Sequence, residues 1–315
     1  MTPLGDLRLF SGTSHPELAK ELAKYLGVTL GKIKISRFSG GEIYARVEEN
    51  VRGQDIYVLQ TCTERVNEEL MELFIMIDAF HRSSAESITV VIPHFGYARQ
   101  DKKSASREPI SARLVADLLT TAGATRVITM DLHADQIQGF FAIPLDHLTA
   151  LPLISNYFGA KKIKDLVVVA PDVGRARVAK KMADRLGAEL AILHKRRPNH
   201  QQAEITHVVG DVAGKTCAVV DDMIDTGGTI LRATETLKGN GAKPEIFVAA
   251  THGIFSGEAI PLFQKAKIKE LVVCNTLPFP PTRQFKSLKV ISAAPLLGEA
   301  ILRSFERRSI SSLFD

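Results

Sequence analysis

Short apolar runs alternate with amphipathic stretches along most of the chain. Runs rich in valine, isoleucine and leucine are typical of strands covered on both faces, as in parallel sheets. Such strands are predicted at 55–61, 87–95, 126–132, 165–171, 188–194, 216–222, 245–251 and 270–276. Apolar residues at helical spacing predict helices at 15–27, 67–83, 110–123, 175–187 and 229–241. The alternation predicts an α/β fold of mostly parallel sheets flanked by helices.

Two segments share the same order of elements, which suggests an internal duplication of architecture. LLTTAGATRVITMDLHA (118–134) and LKGNGAKPEIFVAATHG (237–253) each read as a helix, a glycine stop, a strand and a polar tip with histidine. We therefore predict two similar α/β domains. The first covers 1–146 and is rejoined by 304–315, and the second covers 147–303.

Composition narrows the class of protein. The chain has 315 residues, which suits two domains of roughly 100–200 residues each. The net charge of +5 suits anionic ligands in general, and no aromatic-basic interleaving points to nucleic acid. Cys62, Cys217 and Cys274 sit in or beside apolar runs without metal-site spacing, so buried reduced thiols are predicted. No apolar run approaches the length of a membrane span, and we expect a soluble cytoplasmic protein.

One segment imitates a nucleotide-binding loop. In GDVAGKT (210–216), three residues separate Gly210 from Gly214, whereas the P-loop motif has four. The run that follows is a predicted strand rather than a helix. Gly214 and Lys215 are therefore predicted to form a turn.

The most informative polar segment is VVDDMIDTGGTI (219–230). Its apolar run ends in Asp221 and Asp222, and open parallel sheets bind ligands at the carboxyl ends of their strands. Residues 225–229 come at a predicted helix start, where unpaired N–H groups and glycine backbone favour an anion. The carboxylates would repel that anion but suit hydroxyls or a metal ion. The segment predicts a ribose-phosphate site, and an ordinary capped turn is the alternative.

Further polar motifs follow one another along the chain, namely RFSGGE, YARQDKKSASREPI, TMDLHADQIQGFF, APD, HKRRPN and VVDDMIDTGGT. Together they resemble the ordered signature set of the ribose-phosphate pyrophosphokinase family, over essentially the whole chain to the terminal SISSLFD. The resemblance implies two tandem domains of the type I phosphoribosyltransferase fold. It also implies transfer of the β,γ-diphosphate of ATP to the anomeric hydroxyl of ribose 5-phosphate, releasing AMP, for nucleotide biosynthesis.

The resemblance also implies roles for individual residues. Lys195 and Arg197 would be catalytic, on a loop where Pro198 and Asn199 are expected to interrupt the preceding strand. Fixed cations are the main device for stabilising phosphoryl-type transfer. Ribose 5-phosphate would be bound by Arg197, Asp221, Asp222, Asp225, Thr226, Gly227, Gly228 and Thr229. ATP would be bound by Phe38, Gly40, Gly41, Glu42, Arg99 and Gln100. His133 and Asp172 would hold Mg²⁺, although Mg²⁺ prefers oxygen ligands.

The family pattern further implies assembly. Phe38 and Glu42, on a predicted hairpin-like segment at 37–47, would reach the adenine of a neighbouring subunit. A homo-oligomer is therefore expected, and the family pattern is a hexamer built from dimers. No nucleic-acid or membrane partner is expected.

Two positions depart from the family pattern. Gly40 stands where the family usually has Asp or Asn, so a side-chain hydrogen bond to adenine is either missing or replaced by one from the backbone. The segment PDVGRARVAKK, which begins at Pro171, is about three residues shorter than the family form and has lost its second glycine. This shortening alters the turn after Asp172 and the diphosphate pocket expected there.

Two other functions remain open from the sequence. A base phosphoribosyltransferase would share VVDDMIDTGGT, but it would not need YARQD, DLHA or HKRRPN. A non-catalytic regulatory paralogue is expected to have lost catalytic residues, yet Lys195, Arg197, Asp221 and Asp222 are all present.

Overall fold

The structure is a computed structural model that describes residues 7–199 and 202–313, with the backbone alone for 195–199 and 202–206. Its elements up to residue 149 are β1 (Leu7–Ser11), α1 (Pro16–Leu26), β2 (Ile33–Arg37), β3 (Ile43–Val47), β4 (Asp55–Leu59), α2 (Val66–Arg82), β5 (Ser87–Ile92), α3 (Ser111–Ala122), β6 (Arg126–Met130) and β7 (Leu145–Leu148). The later elements are α4 (Leu151–Lys161), β8 (Leu166–Ala170), α5 (Ala176–Leu186), β9 (Glu189–Asn199), β10 (Gln202–Val209), β11 (Thr216–Ile224), α6 (Gly228–Gly239), β12 (Ile246–Gly253), α7 (Ala259–Lys265), β13 (Ile268–Cys274), β14 (Leu288–Ile291) and α8 (Ala294–Phe305).

The described chain divides into two compact units. The first contains 7–149, 276–278 and 292–313, and the second contains 150–199, 202–275 and 279–291. The domain limits expected from the sequence, 1–146 with 304–315 and 147–303, stay a prediction, and residues 1–6 and 314–315 lie outside the described part.

The first unit is built on a parallel sheet with the strand order β1-β4-β5-β6-β7. Its strands are apolar on both faces because helices cover the sheet, and Val58, Val90 and Ile128 are fully buried. A separate antiparallel pair, β2 and β3, forms the hairpin expected around 37–47. α8 packs against α1 in this unit.

The second unit is built on a sheet with the order β10-β9-β8-β11-β12-β13-β14. All neighbouring strands run parallel except β9 and β10, which are antiparallel. Its core includes Val169, Val219 and Val248, together with Ile230 and Leu237 from α6. Both units therefore confirm the predicted α/β class with mostly parallel sheets flanked by helices.

The predicted helices and strands are all present, with ends that move by a few residues. The pattern did not reveal β1, β7, β10, β14, α4, α7 or α8. Gly214 and Lys215 lie in a turn before β11, as predicted, because the Lys215 N–H donates to the Val212 carbonyl at 3.2 Å. Cys62, Cys217 and Cys274 are buried free thiols, and burial raises the pKa of Cys62 to about 12.

Two local predictions were wrong. The loop expected to carry Lys195 and Arg197 is strand, because β9 continues to Asn199 along β10. The register shifts between the Gln202–Asn199 and Glu204–Arg196 pairs, and an irregularity of this kind accommodates a proline without ending the strand.

The second wrong prediction concerns the strand thought to end at Asp222. β11 runs to Ile224, because its pairing with β12 continues to Gly253. The acid pair therefore lies inside the strand rather than at its last two positions.

No helix within 7–199 or 202–313 combines the length and the apolar character that crossing a membrane requires.

Candidate active site

The acid pair lies at the point where β11 loses one of its neighbours. β11 pairs with β8 only from Thr216 to Val219, and β8 ends at Ala170. On its other side β11 still pairs with β12, where Asp221 faces Ala250. Asp221 and Asp222 therefore stand beside an open edge at the carboxyl end of β8, where ligands of parallel sheets bind.

Arg175 occupies this open edge. Its Nε lies 3.4 Å from Oδ1 of Asp221, and its Nη2 lies 2.7 Å from Oδ2 of Asp222. The side chains of Asp221 and Asp222 are only 15% and 5% exposed. Burial raises the pKa of Asp221 well above its usual range, the neighbouring Asp222 raises it further, and Arg175 opposes both effects. The guanidinium thus favours the charged form of the pair.

A single short turn places the Arg175 side chain against the acids. After β8, Asp172 caps a 3-10 turn of Val173–Arg175, with its Oδ1 accepting the Arg175 N–H at 3.3 Å. α5 begins at the next residue. The turn after β8 therefore carries Asp172 and places Arg175 against the acid pair of β11.

The predicted phosphate cradle, 225–229, spans the junction between β11 and α6. Gly227 is the residue before the helix, with φ of 80°, and the helix begins at Gly228. A Cβ at Gly227 would lie 2.7 Å from Cζ of Phe263, so both the backbone angle and the packing require glycine. Thr226 is exposed and Thr229 half-buried at this helix N-terminus, an arrangement that suits an anion.

Asp225, the first residue of the cradle, is held by a side chain from outside it. The Ser256 hydroxyl donates a hydrogen bond to Oδ1 of Asp225. Ser256 follows β12, so this bond ties the start of the cradle to the neighbouring strand–helix loop. The sequence had not singled out Ser256.

Lys195 and Arg197 are placed by their backbone alone. Both belong to β9, and Lys195 pairs with Ile205 of β10. Their side chains lie outside the described part of the chain, so their catalytic roles stay predictions.

In the first unit, four predicted ATP residues lie together in the β2–β3 turn. The Phe38 N–H donates to the Glu42 carbonyl and the Gly41 N–H donates to the Phe38 carbonyl, both at 2.9 Å. Gly41 has φ of 92°, and a Cβ at Gly40 or Gly41 would meet nothing within 4 Å. The Phe38 side chain is 56% exposed, which leaves its ring available to a partner.

Arg99 and Gln100 lie on a separate segment, the irregular stretch between β5 and α3. Both are exposed, and the Ser111 hydroxyl donates to the Gln100 side chain at the start of α3. Asp101, the next residue, is buried and accepts a hydrogen bond from the Gln136 amide. The buried Asp101 therefore anchors the exposed pair.

His133 lies on the loop after β6, which a second histidine holds in place. The Leu132 N–H donates to Nε2 of His147 at 2.8 Å, and the Asp131 N–H donates to the Leu148 carbonyl at 2.9 Å. Asp131 has φ of 34°, in the left-handed region that few side chains adopt. Burial lowers the pKa of His147, while Asp131 and Asp135 oppose this shift.

Within the second unit the structure brings Asp172, Asp221 and Asp222 together through Arg175, and the cradle follows them directly. Within the first unit it places the ATP candidates on two segments and His133 on a third. The sequence missed Arg175 and His147. Arg175 could have been sought because two buried carboxylates require a cation, whereas nothing in the sequence pattern marked His147.

Comparison with known proteins agrees with this architecture. Residues 7–123 match the model of the N-terminal domain of ribose phosphate pyrophosphokinase, and 198–315 match that of the phosphoribosyl synthetase-associated domain. The chain is 51% identical to a ribose-phosphate pyrophosphokinase of Corynebacterium ammoniagenes, over 98% of each chain. It is equally identical to one of Bacillus subtilis, over 98% of this chain and 97% of the relative.

A solved structure extends the likeness to the fold. The phosphoribosylpyrophosphate synthetase from Mycobacterium smegmatis superposes with a TM-score of 0.91 at 50% identity, covering 96% of this chain and 99% of that one. Two family models, full-length relatives at half identity and this superposition agree with one another. The chain belongs to the ribose-phosphate pyrophosphokinase family.

Proposed function

We propose that the chain transfers the diphosphate group of ATP to the anomeric hydroxyl of ribose 5-phosphate, giving 5-phosphoribosyl 1-pyrophosphate and AMP for nucleotide biosynthesis. One observation supports this most strongly: an acid pair suited to a diol lies directly before a helix N-terminus suited to a phosphate. A sugar phosphate carries both groups. The family membership agrees with the same reaction.

The reaction exchanges one oxygen for another on the β-phosphorus of ATP. The anomeric hydroxyl oxygen forms a bond to this phosphorus and loses its proton. The bond from the phosphorus to the oxygen bridging to the α-phosphate breaks, and AMP leaves with that oxygen. Such transfers depend mainly on positioning and on the stabilisation of charge on phosphate oxygens.

Ribose 5-phosphate would be held by the second unit. Asp221 and Asp222 accept hydrogen bonds from the 2- and 3-hydroxyls, and the backbone of 225–229 with Thr226 and Thr229 binds the 5-phosphate. The Ser256 hydroxyl fixes Asp225 at the start of this cradle. These contacts orient the anomeric hydroxyl without taking part in bond breaking.

Lys195 and Arg197 would supply the cations for the transfer. An arginine fork binds two oxygens at once and a lysine acts as a point charge, so the two residues serve different parts of a polyphosphate. β9 lies two strands from β11 in the same sheet, so both cations belong to the unit that carries the sugar site, which supports this assignment.

ATP would be bound by Phe38, Gly40, Gly41, Glu42, Arg99 and Gln100. The exposed ring of Phe38 is suited to stacking on a base, and the open glycine turn lets a base approach the backbone. Phe38 and Glu42 would serve the adenine of a neighbouring subunit, in a homo-oligomer that we propose to be a hexamer. We propose the cytoplasm as its location.

Mg²⁺ fits the residues present if the substrates supply most of its ligands. No cluster of three or more His, Cys, Asp or Glu suited to a metal occurs in 7–199 or 202–313. Mg²⁺ commonly takes one or two protein carboxylates and completes its shell with phosphates and water. Asp172 and His133 would each contribute one ligand or hold a bound water. The ion would supply neutralisation of phosphate charge.

The two alternative functions are not favoured. A base phosphoribosyltransferase would not require the full-length match to ribose-phosphate pyrophosphokinases. A non-catalytic paralogue is expected to lose acids at the sugar site, whereas Asp221 and Asp222 are present and paired with a cation.

The decisive assay combines purified protein, ATP, Mg²⁺ and ribose 5-phosphate, and measures AMP together with the pyrophosphorylated sugar. Both products should form in equal amounts and only when ribose 5-phosphate is present. AMP formation that ignores the sugar, or consumption of 5-phosphoribosyl 1-pyrophosphate with a free base, would contradict the proposal.

A further inference from the structure

Consecutive residues of a strand project to opposite faces, so Asp221 and Asp222 do not by themselves form one acceptor surface. Nevertheless a single guanidinium contacts both carboxylates, at 3.4 and 2.7 Å. This is possible because β8 has ended and the guanidinium lies at the edge of β11 rather than over one face. Arg175 therefore contacts both carboxylates of a pair whose side chains also interact with each other.

The surroundings make this contact important. The Arg175 side chain is 17% exposed and both acids are less exposed still, so solvent screens the three charges weakly. Two carboxylates in such a place repel each other and lose hydration on burial. The Asp221 carboxylate is further constrained, because its Oδ1 accepts the backbone N–H of Asp222 at 2.9 Å. A fixed cation in contact with both carboxylates opposes that repulsion and favours their charged, hydrogen-bond-accepting forms.

The short segment after β8 determines where that cation stands. Asp172 caps the turn and binds the Arg175 N–H, which fixes the backbone of Arg175 two residues before the exposed Arg177. Arg175 and Arg177 belong to the same RAR sequence, yet only Arg175 is directed at the acids in the described contacts. Arg175 is therefore the residue to test, and Arg177 is its matched control.

We propose that Arg175 is the positioning residue of the sugar site, binding Asp221 and Asp222 so that both carboxylates face the ribose 2- and 3-hydroxyls. The proposal rests on the proposed function and adds a specific determinant of ribose 5-phosphate affinity. Arg175 acts through the acids, and its contribution is to one substrate rather than to the transfer itself.

The kinetic test compares Arg175→Gln, Arg175→Lys and Arg177→Gln with the wild-type chain. Arg175→Gln should raise the KM for ribose 5-phosphate about tenfold or more, with the KM for ATP changed less than about twofold, because a charge-assisted contact to the diol acceptors is lost. Arg175→Lys should recover most of this loss, since it restores the cation. Arg177→Gln should resemble the wild type.

A second readout does not depend on activity and so separates this proposal from the proposed function. Arg175→Gln should lower the unfolding midpoint by about 3 °C or more, because two weakly hydrated carboxylates lose their cation. Adding Asp221→Asn to that variant should raise the midpoint again, since one of the repelling charges is removed.

Two results would overturn the role of Arg175. One is an unchanged KM for ribose 5-phosphate in Arg175→Gln while the wild type remains active. The other is a double variant no more stable than Arg175→Gln, which would show that Arg175 does not balance the acids, whether or not the chain makes AMP.

Discussion

Each unit has acidic residues at the carboxyl end of a central strand: Asp131 follows β6 in the first unit, and Asp221 and Asp222 lie near the end of β11 in the second. The two units stabilise this end of the sheet differently. In the first, β6 ends at Met130, and the neutral ring of His147 accepts the Leu132 N–H of the following loop. In the second, β11 continues through Asp221 and Asp222, and the cation of Arg175 binds the carboxylates. In the first unit the contact fixes the backbone of a loop, whereas in the second it balances the negative charge of two carboxylates.

The difference comes from what each neighbouring element supplies. His147 lies on β7, which pairs directly with β6, so its ring reaches the next loop across the sheet. Arg175 comes from the turn after β8, at the point where β8 no longer pairs with β11. Similar sequence patterns thus gave different chemistry at the two edges. We expect mutations at the edge to affect sugar binding in the second unit and loop stability in the first.

The largest effect should come from the second unit, at Lys195. Lys195→Ala should lower kcat by about 10²–10³ while both KM values stay near normal, because charge on the oxygen leaving with AMP grows only as its bond breaks. Initial-rate kinetics measure this split. Lys215→Ala is the control, since Lys215 pairs with Glu189 at the surface turn. A raised KM for ATP with an intact kcat would make Lys195 a binding residue.

Next in size is the loss of one acid. Asp221→Ala should raise the KM for ribose 5-phosphate about 10- to 150-fold, corresponding to about 1.5–3 kcal/mol for a charged acceptor, with little change for ATP. Asp211→Ala removes an exposed acid from the turn before β11 and should have no such effect. Equal losses for both substrates would contradict the assignment of the pair to the sugar.

A comparable or smaller effect is expected in the first unit at Phe38. Phe38→Ala should weaken ATP binding by about 1–3 kcal/mol, the usual contribution of an aromatic ring stacked on a base. The unfolding midpoint should hardly change, because the ring is largely exposed. Normal ATP affinity in this variant would exclude a stacking role.

In the first unit His147 holds the loop after β6, so replacing this residue should lower the stability of the chain. His147→Phe keeps an aromatic ring but leaves the Leu132 N–H without its acceptor, which should cost about 1–3 kcal/mol of unfolding free energy. His81→Phe, on the exposed end of α2, is the control. Denaturant unfolding of both variants measures the difference, and equal midpoints would show that the imidazole does not hold the loop.

The smallest effect is the pH dependence of that same difference. The folded chain keeps His147 neutral because burial lowers its pKa, whereas the unfolded chain binds a proton near the ordinary value of 6.5. The stabilisation is therefore fully present above 6.5 and is lost as the pH falls through the lowered folded value. Unfolding between pH 8 and 5 should show the advantage of wild type over His147→Phe shrinking towards acid. An advantage that grew would contradict the shift.

Much of the fold follows from local patterns. Continuous apolar runs at β4, β5, β8, β11 and β12 identified buried parallel strands, because only strands covered on both faces tolerate such composition. Short or less regular elements such as β7, β14 and α4 were missed, since their burial depends on neighbours distant in sequence. The loop expected at Lys195 was wrong because a proline was taken as a strand end, whereas pairing with β10 accommodates it at an irregularity.

The sequence alone determined the class of fold, the family and the segment that should bind a sugar phosphate, because these depend on residue types at fixed spacing. Only the tertiary structure decided which side chain balances the acid pair. Asp221 lies 46 residues after Arg175 in the chain, and the contact exists because β8 ends where β11 continues. Such a partner is fixed by strand lengths and by the turn between two elements, and no local pattern encodes that geometry.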